Sequence, residues 1–86
     1  GLKLNQNYPN PFNPTTTISF ELSTPSFTNL SVYNMIGGKV AELVNEQKIS
    51  GFHQVDFDAA NLPSGVYIYR LQTNNQQITK KLTLVK

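Results

Sequence analysis

Leu62-Pro63-Ser64-Gly65-Val66-Tyr67-Ile68-Tyr69-Arg70-Leu71 is the stretch whose reading decides the fold. Pro63 presets φ for a turn, and Gly65 is free to take positive φ because it has no Cβ to clash. A dense run of β-branched and aromatic residues follows. In a strand, Val66, Ile68 and Arg70 point one way, and Tyr67, Tyr69 and Leu71 point the other. Both faces carry large side chains as far as Ile68, so neither is freely solvated. The stretch therefore reads as an interior strand, flanked by neighbours in its own sheet and covered by a second sheet. None of these residues forms a catalytic grouping.

The strands on either side repeat the pattern. Thr15 to Leu22 alternates cleanly, with Ile18, Phe20 and Leu22 inward. Phe27 to Tyr33 places Leu30 and Val32 inward. Asn34-Met35-Ile36-Gly37 reads as a hairpin turn closed by a left-handed glycine. Lys39 to Val44 returns with irregular parity, the mark of a bulge, and Asn45 to Ser50 reads as a polar loop. Gly51 to Asp58 alternates again, with His53, Val55 and Phe57 on one face. Phe20 and Phe57 are therefore expected in the core. Thr73-Asn74-Asn75-Gln76 reads as a tight two-residue hairpin, because Asn tolerates positive φ. Gln77 to Val85 is the last strand, with Ile78, Leu82 and Leu84 on one face and Lys80 at the same parity.

Leu2 to Asn5 makes a short first strand, and an unusual stretch follows it. Tyr8-Pro9-Asn10-Pro11-Phe12-Asn13-Pro14 loses three backbone donors to proline, and each proline pushes the residue before it into extended geometry. A helix is excluded here. Tyr8 and Phe12 are expected to fold back as a plug on one end of the core, with the Asn side chains capping the turns. About seven short strands, no helical periodicity and turn residues between them define an all-β immunoglobulin-like antiparallel sandwich. The Cys–Trp–Cys core of true immunoglobulin domains is missing.

The composition agrees with this architecture. The chain has 86 residues, enough for one small domain spanning 1–86. Hydrophobic content is 38% and charged content only 14%, with Asn, Gln, Ser and Thr supplying the polar surface. Such a surface suits strands and turns better than helices. The absence of cysteine excludes disulfides and thiolate metal sites. No apolar run reaches the ~20 residues of a membrane-spanning helix. No signal peptide is visible, so an exported chain is expected to carry its signal upstream. A net charge of +2, scattered along the chain, gives no ground for nucleic-acid binding.

The candidate chemical groupings are weak. His53 is the only histidine, and its inward parity favours packing over catalysis. Asp56 and Asp58 share a strand face, but two carboxylates fall short of the roughly six oxygens that calcium takes. Gly37-Gly38 is a turn, not a phosphate cradle. Neither a cofactor nor a small-molecule substrate is expected. Tyr8, Tyr33, Tyr67 and Tyr69 offer an aromatic platform for sugar, although packing in the core and its ends is the simpler reading. Asn29-Leu30-Ser31 matches a glycosylation sequon, which matters only in a eukaryotic secretory chain. At the end, Lys80, Lys81 and Lys86 surround Leu82 and Leu84 on the last strand. These lysines either blunt an edge strand against aggregation or are read by a partner.

Four stretches together resemble one family. They are Leu4-Asn5-Gln6-Asn7-Tyr8-Pro9-Asn10-Pro11-Phe12-Asn13-Pro14, Val32-Tyr33-Asn34-Met35-Ile36-Gly37, Leu62-Pro63-Ser64-Gly65-Val66-Tyr67, and Lys80-Lys81-Leu82 through Lys86. In order and spacing they resemble the type A C-terminal sorting domains of the type IX (Por) secretion system of Bacteroidetes. The one departure is Gly38, where the family more often has a polar or charged residue. The resemblance implies a non-catalytic tag on a covalently linked upstream cargo. It further implies transit through the periplasm, recognition by the outer-membrane translocon, and removal by a sortase-like peptidase at the cell surface. On this reading Lys80, Lys81, Leu82, Leu84 and Lys86 are the candidate recognition residues. Tyr8 to Pro14, Gly37, Gly65 and Tyr67 are structural motif positions. The alternative is a carbohydrate-binding or fibronectin-like accessory module of a secreted polysaccharide-degrading enzyme.

Overall fold

The computed structural model describes residues 1–86 and contains strands but no helix. The strands are β1 (Leu2–Leu4), β2 (Thr15–Leu22), β3 (Ser26–Tyr33), β4 (Lys39–Lys48), β5 (Gly51–Asp58), β6 (Gly65–Gln72) and β7 (Gln77–Leu84). They form a three-stranded sheet, β1-β2-β5, facing a four-stranded sheet, β4-β3-β6-β7. All pairings are antiparallel. This is an immunoglobulin-like sandwich with β4 added beside β3 in the larger sheet.

β6 is an interior strand between β3 and β7 as expected, but its outer face is partly solvated, with Val66 40% exposed. Tyr67, Tyr69 and Leu71 are buried between the sheets. Opposite them lie Ile18, Phe20, Leu22 and Phe57, all buried from β2 and β5. Phe20 is 1% exposed and Phe57 4%, so period-two parity located both. The turn before β6 holds Gly65 at φ +153°. Tyr67 then donates its hydroxyl to the Pro63 carbonyl at 2.6 Å. This is the tyrosine corner found at the start of the equivalent immunoglobulin strand. The β3–β4 turn is closed by Gly37 at φ +91°. Asn34 organises it, its Oδ1 accepting from the backbone N–H of both Ile36 and Gly38.

Three expectations need correction. β4 does not end at Val44 but pairs with β3 through Lys48, so Asn45 to Lys48 are strand rather than loop. Polar side chains on an edge strand give no apolar alternation to read. The expected bulge is real and doubled, with register shifts between Leu30 and Ser31 and between Val32 and Tyr33. The Asn74-Asn75 turn lies between Thr73 and Gln76, whose N–H and carbonyl bond at 2.9 Å, but no residue other than glycine has positive φ. Finally, Phe12 plugs the core, but Tyr8 is 81% exposed. Tyr8 exchanges both backbone bonds with Thr17. That pairing places its ring on the solvent face beside Thr17 rather than over the core.

Candidate functional site

The last strand and the proline-rich segment are built into one another. β7 is the edge of its sheet. Its inward parity carries Ile78, Lys80, Leu82 and Leu84. Leu82 and Leu84 are fully buried in the core, whereas Lys80 is half-buried at the margin. Lys81 points to the opposite face and is exposed. The five expected recognition residues therefore divide among the core, the two faces of β7 and, for Lys86, the chain beyond it.

An edge strand leaves alternate backbone groups unpaired. Along the distal half of β7 the proline-rich segment fills them. Phe12 N–H donates to the Thr83 carbonyl at 3.0 Å, and Val85 N–H donates to the Phe12 carbonyl at 2.9 Å. Asn10 Oδ1 accepts from Thr83 N–H at 3.0 Å, and Gln6 Nε2 donates to the Lys81 carbonyl at 2.7 Å. Pro9 and Pro11 lack an N–H. Phe12 thus carries the donor that docks the segment, and Asn10 substitutes a side-chain oxygen. The bonds from Tyr8, Asn10 and Asn13 to the following prolines are cis. The Phe12 ring packs against Phe57, with centroids 6.1 Å apart. The Pro14 carbonyl accepts from Ala59 N–H. Lys86 is held too, its N–H on Ser64 Oγ at 3.1 Å and its Nζ on the Ala60 carbonyl at 2.6 Å.

The middle of this assembly is a clamp that sequence reasoning missed. The Tyr69 hydroxyl donates to the Asn5 carbonyl and accepts from Asn7 N–H. Burial pushes its pKa up to about 12, against a smaller opposing effect of the Asn7 N–H. Asn7 is itself buried, its Nδ2 donating to the Pro9 carbonyl and to Thr16 Oγ1.

The other sequence candidates are spread over the molecule. His53 stacks on Phe20 with centroids 5.3 Å apart, and its Nε2–H donates to the Ile49 carbonyl at 2.8 Å. Asp56 accepts from Thr17 Oγ1, while Asp58 accepts from Ala60 N–H and caps the next turn. The four tyrosines make no common platform. Tyr67 and Tyr69 are buried, Tyr8 lies on the solvent face of the smaller sheet, and Tyr33 lies on that of the larger one. Arg70 covers Tyr33, its guanidinium carbon 4.7 Å from the ring centroid.

Among curated proteins, no sequence matches this chain. Solved structures share its fold, PorZ and CopC among them. PorZ of Porphyromonas gingivalis, described as an essential bacterial surface component of the type-IX secretion system, aligns with TM-score 0.66 and 18% identity. The alignment covers 94% of this chain and 11% of that one, so the chain spans about a tenth of PorZ. CopC of Methylosinus trichosporium OB3b aligns with TM-score 0.54 and 13% identity, over 98% of this chain and 91% of that one. At these identities both likenesses establish the fold alone. The sequence itself matches the family described as secretion system C-terminal sorting domain over residues 6–85, from the Gln6 that bonds β7 to the Val85 that bonds Phe12. The match takes in the proline-rich segment, the Tyr67 corner and the last strand together, and the chain belongs to that family, the tail domain of the type IX (Por) system.

Proposed function

We propose that the chain is the export tag of a longer secreted protein, acting without catalysis of its own. The cargo is linked upstream and crosses the periplasm with the folded tag. The outer-membrane translocon recognises the tag, and a sortase-like peptidase removes it at the cell surface. The cargo is then anchored there or released. The family match over residues 6–85 is the observation that carries this reading. The architecture supports it, because a tag must keep one recognisable shape. Leu82 and Leu84 fix β7 in the core. Lys81, Lys86 and the exposed part of Lys80 are the side chains that a partner meets. No acidic residue follows Asp58, so this end of the chain offers a cationic surface.

Fusing residues 1–86 to a periplasmic reporter in a type IX-competent bacterium tests the proposal. Reporter outside the cell, dependent on the translocon, is the expected result. A reporter that stays periplasmic while the tag is folded would sink it.

A further inference from the structure

The solvent face of the four-stranded sheet carries a groove of about 480 Å³ that the sorting role leaves unused. It lies along β3 and reaches the turn between β6 and β7, away from the distal half of β7 that the proline-rich segment covers. Phe27 and Tyr33 stand at its two ends, six residues apart on one strand, or roughly 20 Å. Between them the lining is polar and uncharged: the amides of Asn29, Gln72 and Asn74 and the hydroxyl of Thr73. Lys39 is the one charged lining residue, and Glu42 neutralises it at 3.0 Å. The hydrogen bond that Lys39 Nζ donates to Glu42 holds its ammonium above its ordinary pKa.

The groove is preorganised. Asn29 Nδ2 donates to Glu42 and Asn45, and its Oδ1 accepts from Ser31 Oγ at 2.7 Å. The Arg70 guanidinium fixes the Tyr33 ring from one side. Phe27 is 47% exposed, a large apolar area for a ring with no structural duty.

We propose that this groove binds a neutral oligosaccharide. Apolar C–H faces of sugar rings stack on Phe27 and on the face of Tyr33 away from Arg70. Hydroxyls exchange hydrogen bonds with the amides of Gln72 and Asn74 and donate to the remaining lone pair of Asn29 Oδ1. Amides both donate and accept, as hydroxyls do. Lys39 is paired with Glu42 and the Arg70 guanidinium is drawn over one face of Tyr33, so the amides rather than a free cation dominate the lining. A proline-rich peptide is the weaker fit, because such ligands use aromatic ridges set close together, and here the rings are separated by amides. The site is independent of export and goes beyond it.

The test is a ¹⁵N NMR titration of the 86-residue chain with cellohexaose, xylohexaose and mannohexaose at millimolar concentration. Oligogalacturonate and a proline-rich peptide run in parallel. Shifts from at least one neutral sugar, confined to Phe27, Asn29, Tyr33 and Gln72 to Asn74, are expected. Phe27→Ala and Asn74→Ala should each weaken binding by about tenfold or more while the melting temperature holds. Silence with all three neutral sugars overturns the proposal. So do shifts elsewhere on the surface, binding of the acidic sugar or the peptide alone, or unchanged affinity in both variants.

Discussion

The Tyr69 hydroxyl lies 2.8 Å from the Asn5 carbonyl, joining the middle of β6 to the strand end that leads into the proline-rich segment. The same oxygen accepts from Asn7 N–H at 2.9 Å. One buried phenol thereby satisfies a backbone acceptor and a backbone donor of a segment that prolines have left poor in backbone bonds.

Tyr69→Phe should therefore destabilise by more than a hydroxyl's packing. It leaves the Asn5 carbonyl and Asn7 N–H without their partner, at roughly 1–3 kcal/mol for a buried group left unpaired. Chemical unfolding measures the loss. A variant within experimental error of wild type would show that the clamp does not hold the segment.

The same group predicts a pH dependence. The folded pKa of Tyr69 is raised from 10.0 to about 12, so above pH 10 the unfolded chain loses a proton that the folded chain keeps. Its stabilising contribution is complete below pH 10 and is lost as pH rises through about 12. At about 1.4 kcal/mol per pKa unit, the rise from 10.0 to about 12 sets an upper bound of roughly 3 kcal/mol on the decrease. Lysines and other tyrosines titrate in this range too, so the wild type is compared with Tyr69→Phe. The wild type should lose stability more steeply between pH 10 and 12, and parallel curves would contradict the assignment.

Gly65→Val isolates backbone strain from crowding. A Cβ at Gly65 meets nothing within 4 Å, yet φ is +153°. The expected loss, roughly 1–3 kcal/mol, is conformational, with Gly65→Ala toward the lower end. Thermal unfolding reads it directly. An unchanged midpoint would show that the turn relaxes freely.

Phe20→Ala and Phe57→Ala each remove a ring from the contact between sheets, at on the order of 3–5 kcal/mol. In a domain this small that approaches the whole stability. Phe57 also supports Phe12. Its loss should loosen the proline-rich segment as well, seen as faster amide exchange at Phe12 and Val85, where Phe20→Ala leaves that exchange nearer to global opening. Equal local exchange in the two variants would separate Phe57 from the segment.

The sequence pattern locates what depends on local alternation. Ile18, Phe20, Leu30, Val32 and Phe57 alternate with polar neighbours, and all are buried. The pattern fails where the deciding partner is remote. Tyr8 faces solvent because it pairs with Thr17, and no local feature of Tyr8-Pro9 encodes that register. The end of β4 is invisible because Asn45 to Lys48 bury no apolar face. The Tyr67 corner was within reach, since a tyrosine two positions after a Pro-x-Gly turn can bond back to that turn. The Tyr69 clamp was not, because Asn5 and Asn7 lie more than sixty residues away in sequence. For the recognition surface, the sequence supplied the lysines but not the fact that Asn10 and Phe12 already cover the distal edge of β7.

That covering sharpens the test of how the last strand is read. Deleting Leu82 to Lys86 removes two core side chains and the partner of Phe12, so lost export would report unfolding as readily as lost recognition. Changing Lys80, Lys81 and Lys86 to Gln together avoids this. None of the three is in a salt bridge. Lys86 loses only an exposed bond to the Ala60 carbonyl, and exposed substitutions of this kind change stability by about 0.5–1 kcal/mol or less each. The melting temperature should stay close to that of wild type. If the partner reads charge, export of the fused reporter falls, and binding of the wild-type tag weakens as salt is added. If the triple Gln variant leaves the cell at the wild-type rate, the lysines serve only to blunt the edge strand. Recognition then rests on backbone groups of β7 between Gln77 and Lys80, the part that Gln6 and the proline-rich segment leave open.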